Sequence, residues 1–122
     1  MKKSIVIPLM LAAALLTGCA SLSPPTSLTP AFAEKVASAK TAKDHQAIVA
    51  IYDAEAAEAK QAAASHRSLA KTYGQANSYR NGFGQSYAQH CEQAAKGYDA
   101  IAADKTALAQ LHRQLATQSA DK

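Results

Sequence analysis

The sequence is poor in the residues that build bulky cores. It has no tryptophan, two cysteines, five glycines and four prolines in 122 residues, and 6% of its residues are aromatic. This length is too short for two ordinary domains, and 18% charged residues beside 48% apolar ones is not the composition of a disordered chain. The net charge of +4 falls to +2 without Lys2 and Lys3, which is too weak to indicate nucleic acid or an acidic partner.

Alanine is the residue that the chain has in excess. From residue 19 onward, 27 of 104 residues are alanine, whereas valine, isoleucine, leucine, phenylalanine and tyrosine together supply 18. Alanine has the highest intrinsic helix propensity, but it buries little surface. The composition therefore predicts a helix-rich chain with little bulk to bury.

The first eighteen residues have the pattern of an export signal. Lys2 and Lys3 form a positive start, and the apolar run Ile5–Leu16 that follows has twelve residues and contains Pro8. A membrane-spanning helix needs about 20 apolar residues, so this run is too short to span a bilayer. The signal is predicted to occupy residues 1–18.

The segment Leu16-Thr17-Gly18-Cys19 resembles the lipobox of bacterial lipoproteins. The resemblance implies diacylglycerol transfer to the Cys19 sulfur, cleavage before Cys19, and acylation of the new amino terminus with a palmitate-type chain. Cys19 would then anchor the protein in the lipid bilayer, because more than one acyl chain makes attachment stable. Ala20 follows the cysteine where aspartate commonly retains lipoproteins at the inner membrane, so the resemblance favours the periplasmic face of the outer membrane. An ordinary cleaved signal with a coincidental cysteine is the alternative.

A polar, proline-rich stretch separates this anchor from the first predicted helix. Residues 19–28 are expected to form a lipidated tether that stays extended. Thr29 and Pro30 suit a helix start, and a short helix from Pro30 to about Ala39 would bury Phe32 and Val36.

Two long arms follow. The segment Thr41–Asp44 has a capping pattern, and Lys43–Tyr73 contains no glycine or proline, which predicts a helix roughly 46 Å long. Residues 74–84 have the strongest turn composition, and a second arm runs from about Gln85 to Thr117. We therefore predict an all-α antiparallel helical hairpin over residues 29–118, with a short N-terminal helix and a disordered tail at 119–122. Either the short helix completes the core, or two chains form a dimeric bundle, which we favour.

Each arm carries a heptad seam with spacings of three and four. In the first arm the seam comprises His45, Ile48, Tyr52, Glu55, Ala59, Ala62, His66, Leu69 and Tyr73. In the second it comprises Tyr87, Cys91, Ala94, Tyr98, Ile101, Lys105, Leu108, His112 and Leu115. A turn centred near Ser78 and Tyr79 then places His45 opposite His112 and His66 opposite Cys91, with His90 beside Cys91.

These two layers have two interpretations. Imidazole and thiolate are ligands for zinc or copper, so His45, His66, His90, Cys91 and His112 are candidate metal ligands between facing helices. A bis-histidine haem also fits this spacing, although no Cys-x-x-Cys-His occurs. The other interpretation, which we favour, is that these are half-buried packing residues, with Cys91 a buried, inert thiol rather than one that pairs between chains.

The sequence does not favour an enzyme. It has no Ser-His-Asp order in plausible context, no glycine-rich phosphate loop and no paired-carboxylate cleft. The tyrosines near the seams are expected to be core residues rather than a platform for nucleic acid. Murein-type lipoproteins also join a lipidated cysteine to heptad helices and end in a lysine linked to peptidoglycan, as Lys122 ends this chain, but the turn and second arm depart from that family. The resemblance to small helical-hairpin envelope lipoproteins implies a structural or interaction role with an unidentified envelope protein.

Overall fold

The computed structural model describes residues 24–75 and 83–120, and this part of the chain is all-α. A 3-10 turn at Thr26–Leu28 precedes α1 (Pro30–Ser38), α2 (Ala42–Gln75) and α3 (Phe83–Ala120). The two long helices pack along each other, and ion pairs between them run in opposite sequence directions, so they form an antiparallel hairpin. This confirms the predicted fold. No helix within the described ranges is both long and apolar enough to span a membrane.

Several sequence predictions fall on residues outside these ranges. The signal peptide, Cys19, Lys122 and residues 76–82 of the predicted turn are among them. The ends of the predicted turn at 74–84 are instead helical, because α2 continues to Gln75 and α3 begins at Phe83. At the other boundary, α3 continues to Ala120, beyond the predicted domain end at 118, and the Ser119 hydroxyl donates to the Leu115 carbonyl at 2.8 Å.

Local capping bonds explain where the first two helices begin. The Thr29 hydroxyl accepts a bond from the Phe32 amide at 3.2 Å, as the Thr29-Pro30 pattern predicts. The Thr41 hydroxyl accepts from the Asp44 amide at 3.1 Å, and the Asp44 carboxylate accepts from the Thr41 amide at 2.9 Å. These reciprocal bonds form the predicted capping box. Backbone donation from Lys40 and Thr41 lowers the pKa of Asp44 to about 2.

The contact between α2 and α3 is built from alanine. Both helices bury an alanine row with a heptad repeat, formed by Ala56, Ala63 and Ala70 in α2 and by Ala95, Ala102, Ala109 and Ala116 in α3. Three of these, Ala63, Ala95 and Ala109, have no exposed surface. A methyl side chain is completely covered only where the opposing helix approaches closely, so this is a tight helix pair.

The residues buried in this interface differ from the predicted seams along one side of each helix. Six predicted seam residues are instead exposed, by 36% to 52% of their surface: Leu69, Tyr87, Tyr98, Ile101, Leu108 and Leu115. The prediction that the tyrosines near the seams are core residues is therefore wrong for Tyr87 and Tyr98.

Each seam also has a central row, made up of residues 45, 52, 59, 66 and 73 in α2 and residues 91, 98, 105 and 112 in α3. In these rows the prediction is confirmed for His45, Tyr52, Ala59, Cys91 and His112, which are buried, and is wrong for Tyr98. The α2–α3 contact therefore uses the small residues on one side of the central rows. The large residues on the other side of α3 lie outside it, whereas on α2 Ile48 is buried and Leu69 is exposed.

The bulk of the core lies at the end of the hairpin remote from the turn. Phe32 of α1 packs with Ile48, Tyr52 and Ala109, and its ring meets the Tyr52 ring edge-on at 5.3 Å. Val36 contacts the same cluster and is half-buried. The short first helix thus covers the end of the hairpin that carries the buried histidines.

Candidate functional site

Two buried histidines face each other between the long helices, as the predicted register requires. The Nδ1 atoms of His45 and His112 lie 3.0 Å apart, and the residues expose 8% and 9% of their surfaces. The ring of Tyr52 lies 6.0 Å from that of His112. At this separation one neutral imidazole donates its Nδ1 proton to the other, so a single proton lies between the two rings.

The surroundings of the pair oppose its protonation. Burial, together with the charge that His45 carries when protonated, lowers the pKa of His112. One added proton would place a positive charge in a site with little water, and a second would place two positive charges on rings whose Nδ1 atoms lie 3.0 Å apart. The pair is therefore stable in its uncharged form and strained when charged.

The second predicted layer is arranged differently. His66 stacks on Tyr98 with ring centroids 5.4 Å apart, and its Nδ1 atom is buried without a hydrogen-bond partner. Cys91 is a buried free thiol, whereas His90 is exposed. Among the described residues, no group of three or more histidine, cysteine, aspartate or glutamate side chains is placed to hold a metal ion.

A polar cluster that sequence reasoning missed joins the N-terminal segment to the hairpin; we call Ser27, Glu55 and Lys105 the latch. The Lys105 ammonium lies 2.8 Å from the Glu55 carboxylate and also donates to the Ser27 hydroxyl. The Ser27 amide and hydroxyl donate to the two oxygens of Glu55, at 2.8 and 2.6 Å. The latch ties all three chain segments together at one point, and the end of the predicted extended tether is a docked turn.

The latch is well shielded from water. The side chains of Lys105 and Glu55 expose only 15% and 10% of their surfaces, and the ammonium lies 5.4 Å from the centre of the Tyr52 ring. Burial opposes ionisation of Glu55, but hydrogen bonds from Lys105 and Ser27 outweigh it, so the pKa of this carboxyl lies below its usual value. Opposite charges in the two predicted seams were the sequence signal for this cluster.

The two faces of the hairpin differ in character. Exposed ion pairs join Arg67 to Asp99 and Arg113 to Asp53 on one face, and the Asp99 partner raises the pKa of Arg67. Such exposed pairs contribute little stability. The latch lies on the other face, which we call the open face.

We predict that acid destabilises the fold through the histidine pair. Because the pKa of His112 in the folded chain lies below its ordinary value of 6.5, unfolded chains bind the proton first. The free energy of unfolding is then fully present above about pH 6.5 and falls as the pH drops through and below it. Urea unfolding at pH 7.5 and 5.5 measures the change, because Asp44 and Glu55 titrate at lower pH.

The matched variants are His112→Gln and His90→Gln. The first removes the buried imidazole and should flatten the dependence on pH, even if it also lowers stability at pH 7.5. The second removes an exposed imidazole and should leave the dependence unchanged. If the free energy of unfolding changes equally between pH 7.5 and 5.5 in the unmodified chain and in His112→Gln, the prediction is wrong.

Comparison with known proteins yields no relative: no family model, curated protein or solved structure matches this chain.

Proposed function

We propose that the chain is an exported lipoprotein, anchored through acylated Cys19, whose hairpin is a structural or protein-interaction module on the periplasmic face of the outer membrane. The observation that carries the proposal is the segment Leu16-Thr17-Gly18-Cys19, placed directly after a short apolar run. No nucleic acid and no catalytic step belong to this role.

The latch supports this arrangement. Ser27 is eight residues beyond Cys19 and is fixed to Glu55 and Lys105. Eight residues of fully extended chain span at most about 28 Å. An acyl group on Cys19 would thus hold the open face of the hairpin within that distance of the bilayer surface.

Labelling with an alkyne analogue of palmitate tests the anchor. We expect label in the full chain expressed in a bacterium with two membranes, none in Cys19→Ala, and full label in Cys91→Ala. The last variant is the matched control, because it removes the only other cysteine. Label that survives Cys19→Ala, or its absence from the unmodified chain, would overturn the proposal.

A second candidate function is zinc or copper binding between the long helices, and the histidine pair favours it. Two nitrogens bound to one tetrahedral zinc lie about 3.3 Å apart, close to the 3.0 Å between the Nδ1 atoms of His45 and His112. A metal would take the place of the shared proton, and water would complete its coordination. The buried, unpartnered Nδ1 of His66 is a further nitrogen available in the second layer.

Titration with zinc and with cuprous ion tests this candidate. We expect stoichiometric uptake at micromolar metal, its loss in His112→Gln and its retention in His90→Gln. The double variant His66→Ala with Cys91→Ala separates the second layer from the first. The absence of uptake by the unmodified chain would remove the candidate.

A further inference from the structure

The exposed large side chains of the described residues are concentrated on the open face. Ile101 and Leu108 flank Lys105 on the side away from the alanine row, and Lys105 belongs to the latch. Leu69 lies two heptads after Glu55, so it belongs to the α2 row that faces the N-terminal segment. On that segment, Leu28 is 71% exposed. Exposed apolar surface gathered on one face of a small protein marks a binding surface.

On α3 these side chains form a second complete seam, which we call the open seam. Its spacings are three and four throughout, and its members are Ala94, Gly97, Ile101, Asp104, Leu108, Leu111 and Leu115. The alanine row is used by α2, so α3 has one seam for the hairpin and one without an occupant among the described residues. Asp104 is the one charged member of the open seam, and its other members are apolar. A helix with two largely apolar faces is typical of a bundle in which it has two neighbours.

The packing of the hairpin does not require a glycine at position 97. A glycine in a helix interior costs about 1 kcal/mol relative to alanine, yet a methyl group at this position would meet nothing within 4 Å. The missing side chain is therefore not needed for contact with α2. It leaves a notch in the open seam.

The open seam is small at one end and large at the other. Ala94 and Gly97 lie toward the start of α3, whereas Leu108, Leu111 and Leu115 lie toward its end. In an antiparallel pair of such seams, the small end of each helix meets the large end of the other. The two registers with the fullest overlap place Gly97 opposite Leu108 or Leu115 of the partner subunit.

We propose that the open seam binds a second copy of this chain, with the two α3 helices antiparallel and each Gly97 notch filled by a leucine. The seam from residue 94 to residue 115 is about 32 Å long. One helix diameter wide, this strip has a footprint on the order of 350 Å², less than the roughly 800 Å² per partner of a standard dimer, so we expect a reversible dimer of moderate affinity. The ion pairs of the opposite face remain in water.

Sedimentation equilibrium of the full chain in density-matched detergent tests the proposal. We expect twice the mass of one chain at micromolar concentration. Leu111→Glu should raise the dissociation constant by about 30-fold or more, because Leu111 is 54% exposed and contributes little to the hairpin. Gln110→Glu adds the same charge at the neighbouring exposed position, outside the seam, and should leave the dimer intact.

Gly97→Ala tests the notch itself. If nothing covers position 97, the added methyl group stabilises the helix and leaves association unchanged. With a leucine of the partner subunit in the notch, it should weaken association about tenfold while raising the unfolding temperature of the dissociated chain.

Other results would overturn the proposal. A single-chain mass at every concentration excludes the dimer, and a dimer that survives Leu111→Glu uses another face. Unchanged association in Gly97→Ala removes the notch, and efficient disulfide formation between two Gly97→Cys chains would indicate a parallel pair. None of these results depends on acylation, so the failure of palmitate labelling would overturn the proposed anchor and not the dimer.

Discussion

Lys105→Met is expected to lower the free energy of unfolding by about 2–3 kcal/mol. The substitution keeps the length and apolar stem of the side chain but removes the ammonium group. Glu55 is left as a shielded carboxylate whose remaining bonds come from Ser27. Breaking a buried ion pair by removing one partner costs about 3–5 kcal/mol. We expect a somewhat smaller effect because 10% of the Glu55 side chain still reaches water.

Urea unfolding measures this loss, and two variants interpret it. Lys96→Met removes an exposed lysine from the same helix and should change stability by at most about 0.5 kcal/mol. Glu55→Gln combined with Lys105→Met should recover much of the loss, because no unpaired charge remains. Equal effects of Lys105→Met and Lys96→Met would show that the latch contributes nothing to the fold.

The latch illustrates what heptad analysis of a single arm misses. Glu55 and Lys105 both lie in the predicted seams, where an isolated charge weakens helix pairing. The structure pairs them with each other and with Ser27, a residue from the stretch expected to be an extended tether. Their pairing depends on the register of two helices and on a third segment, and no local pattern encodes both.

Helix ends and topology were predictable because local chemistry sets them. The Thr29 cap and the capping box of Thr41 and Asp44 start α1 and α2. The absence of proline and glycine from residues 43–73 permits one long helix there. The composition of residues 74–84 permits a turn only between the arms. The caps, the uninterrupted helix and the turn composition are all local features of the sequence, and together they are sufficient to predict a hairpin.

The choice of seam was not predictable from periodicity alone. In α3, the central row that includes Tyr98 and Lys105 has an alanine row on one side and a row of large residues on the other. The central row forms a seam with spacings of three and four whether it is combined with the alanine row or with the row of large residues. The greater apolar surface of the large side chains favours their burial against α2. The hairpin instead buries the alanine row, because two alanine faces allow the closest approach of the helices.

The histidine layers were predictable to the same extent as the register. His45 meets His112 because both lie in central rows, which either choice of seam keeps inside. His66 stacks instead on Tyr98, one heptad beyond its predicted partner Cys91. A large aromatic side chain on the central row reaches a neighbouring layer, and spacing does not encode that reach.

Ala63→Leu is expected to have the other large effect, lowering the free energy of unfolding by about 3 kcal/mol. Ala63 is fully buried in the alanine row, so three more carbon atoms must push the two helices apart. Overpacking a tight core typically costs about 1–3 kcal/mol, and here the displaced partner is an entire helix rather than a flexible side chain.

The neighbouring alanine is the control, because Ala64 is exposed one residue along the same helix. Alanine and leucine have similar helix propensities, so Ala64→Leu should change the free energy of unfolding by at most about 0.5 kcal/mol. The difference between the two variants in urea unfolding thus isolates the packing between α2 and α3. If both leucines are tolerated equally, the helices do not meet along their alanines, and the large residues of the open seam would have to be the ones that hold the hairpin together.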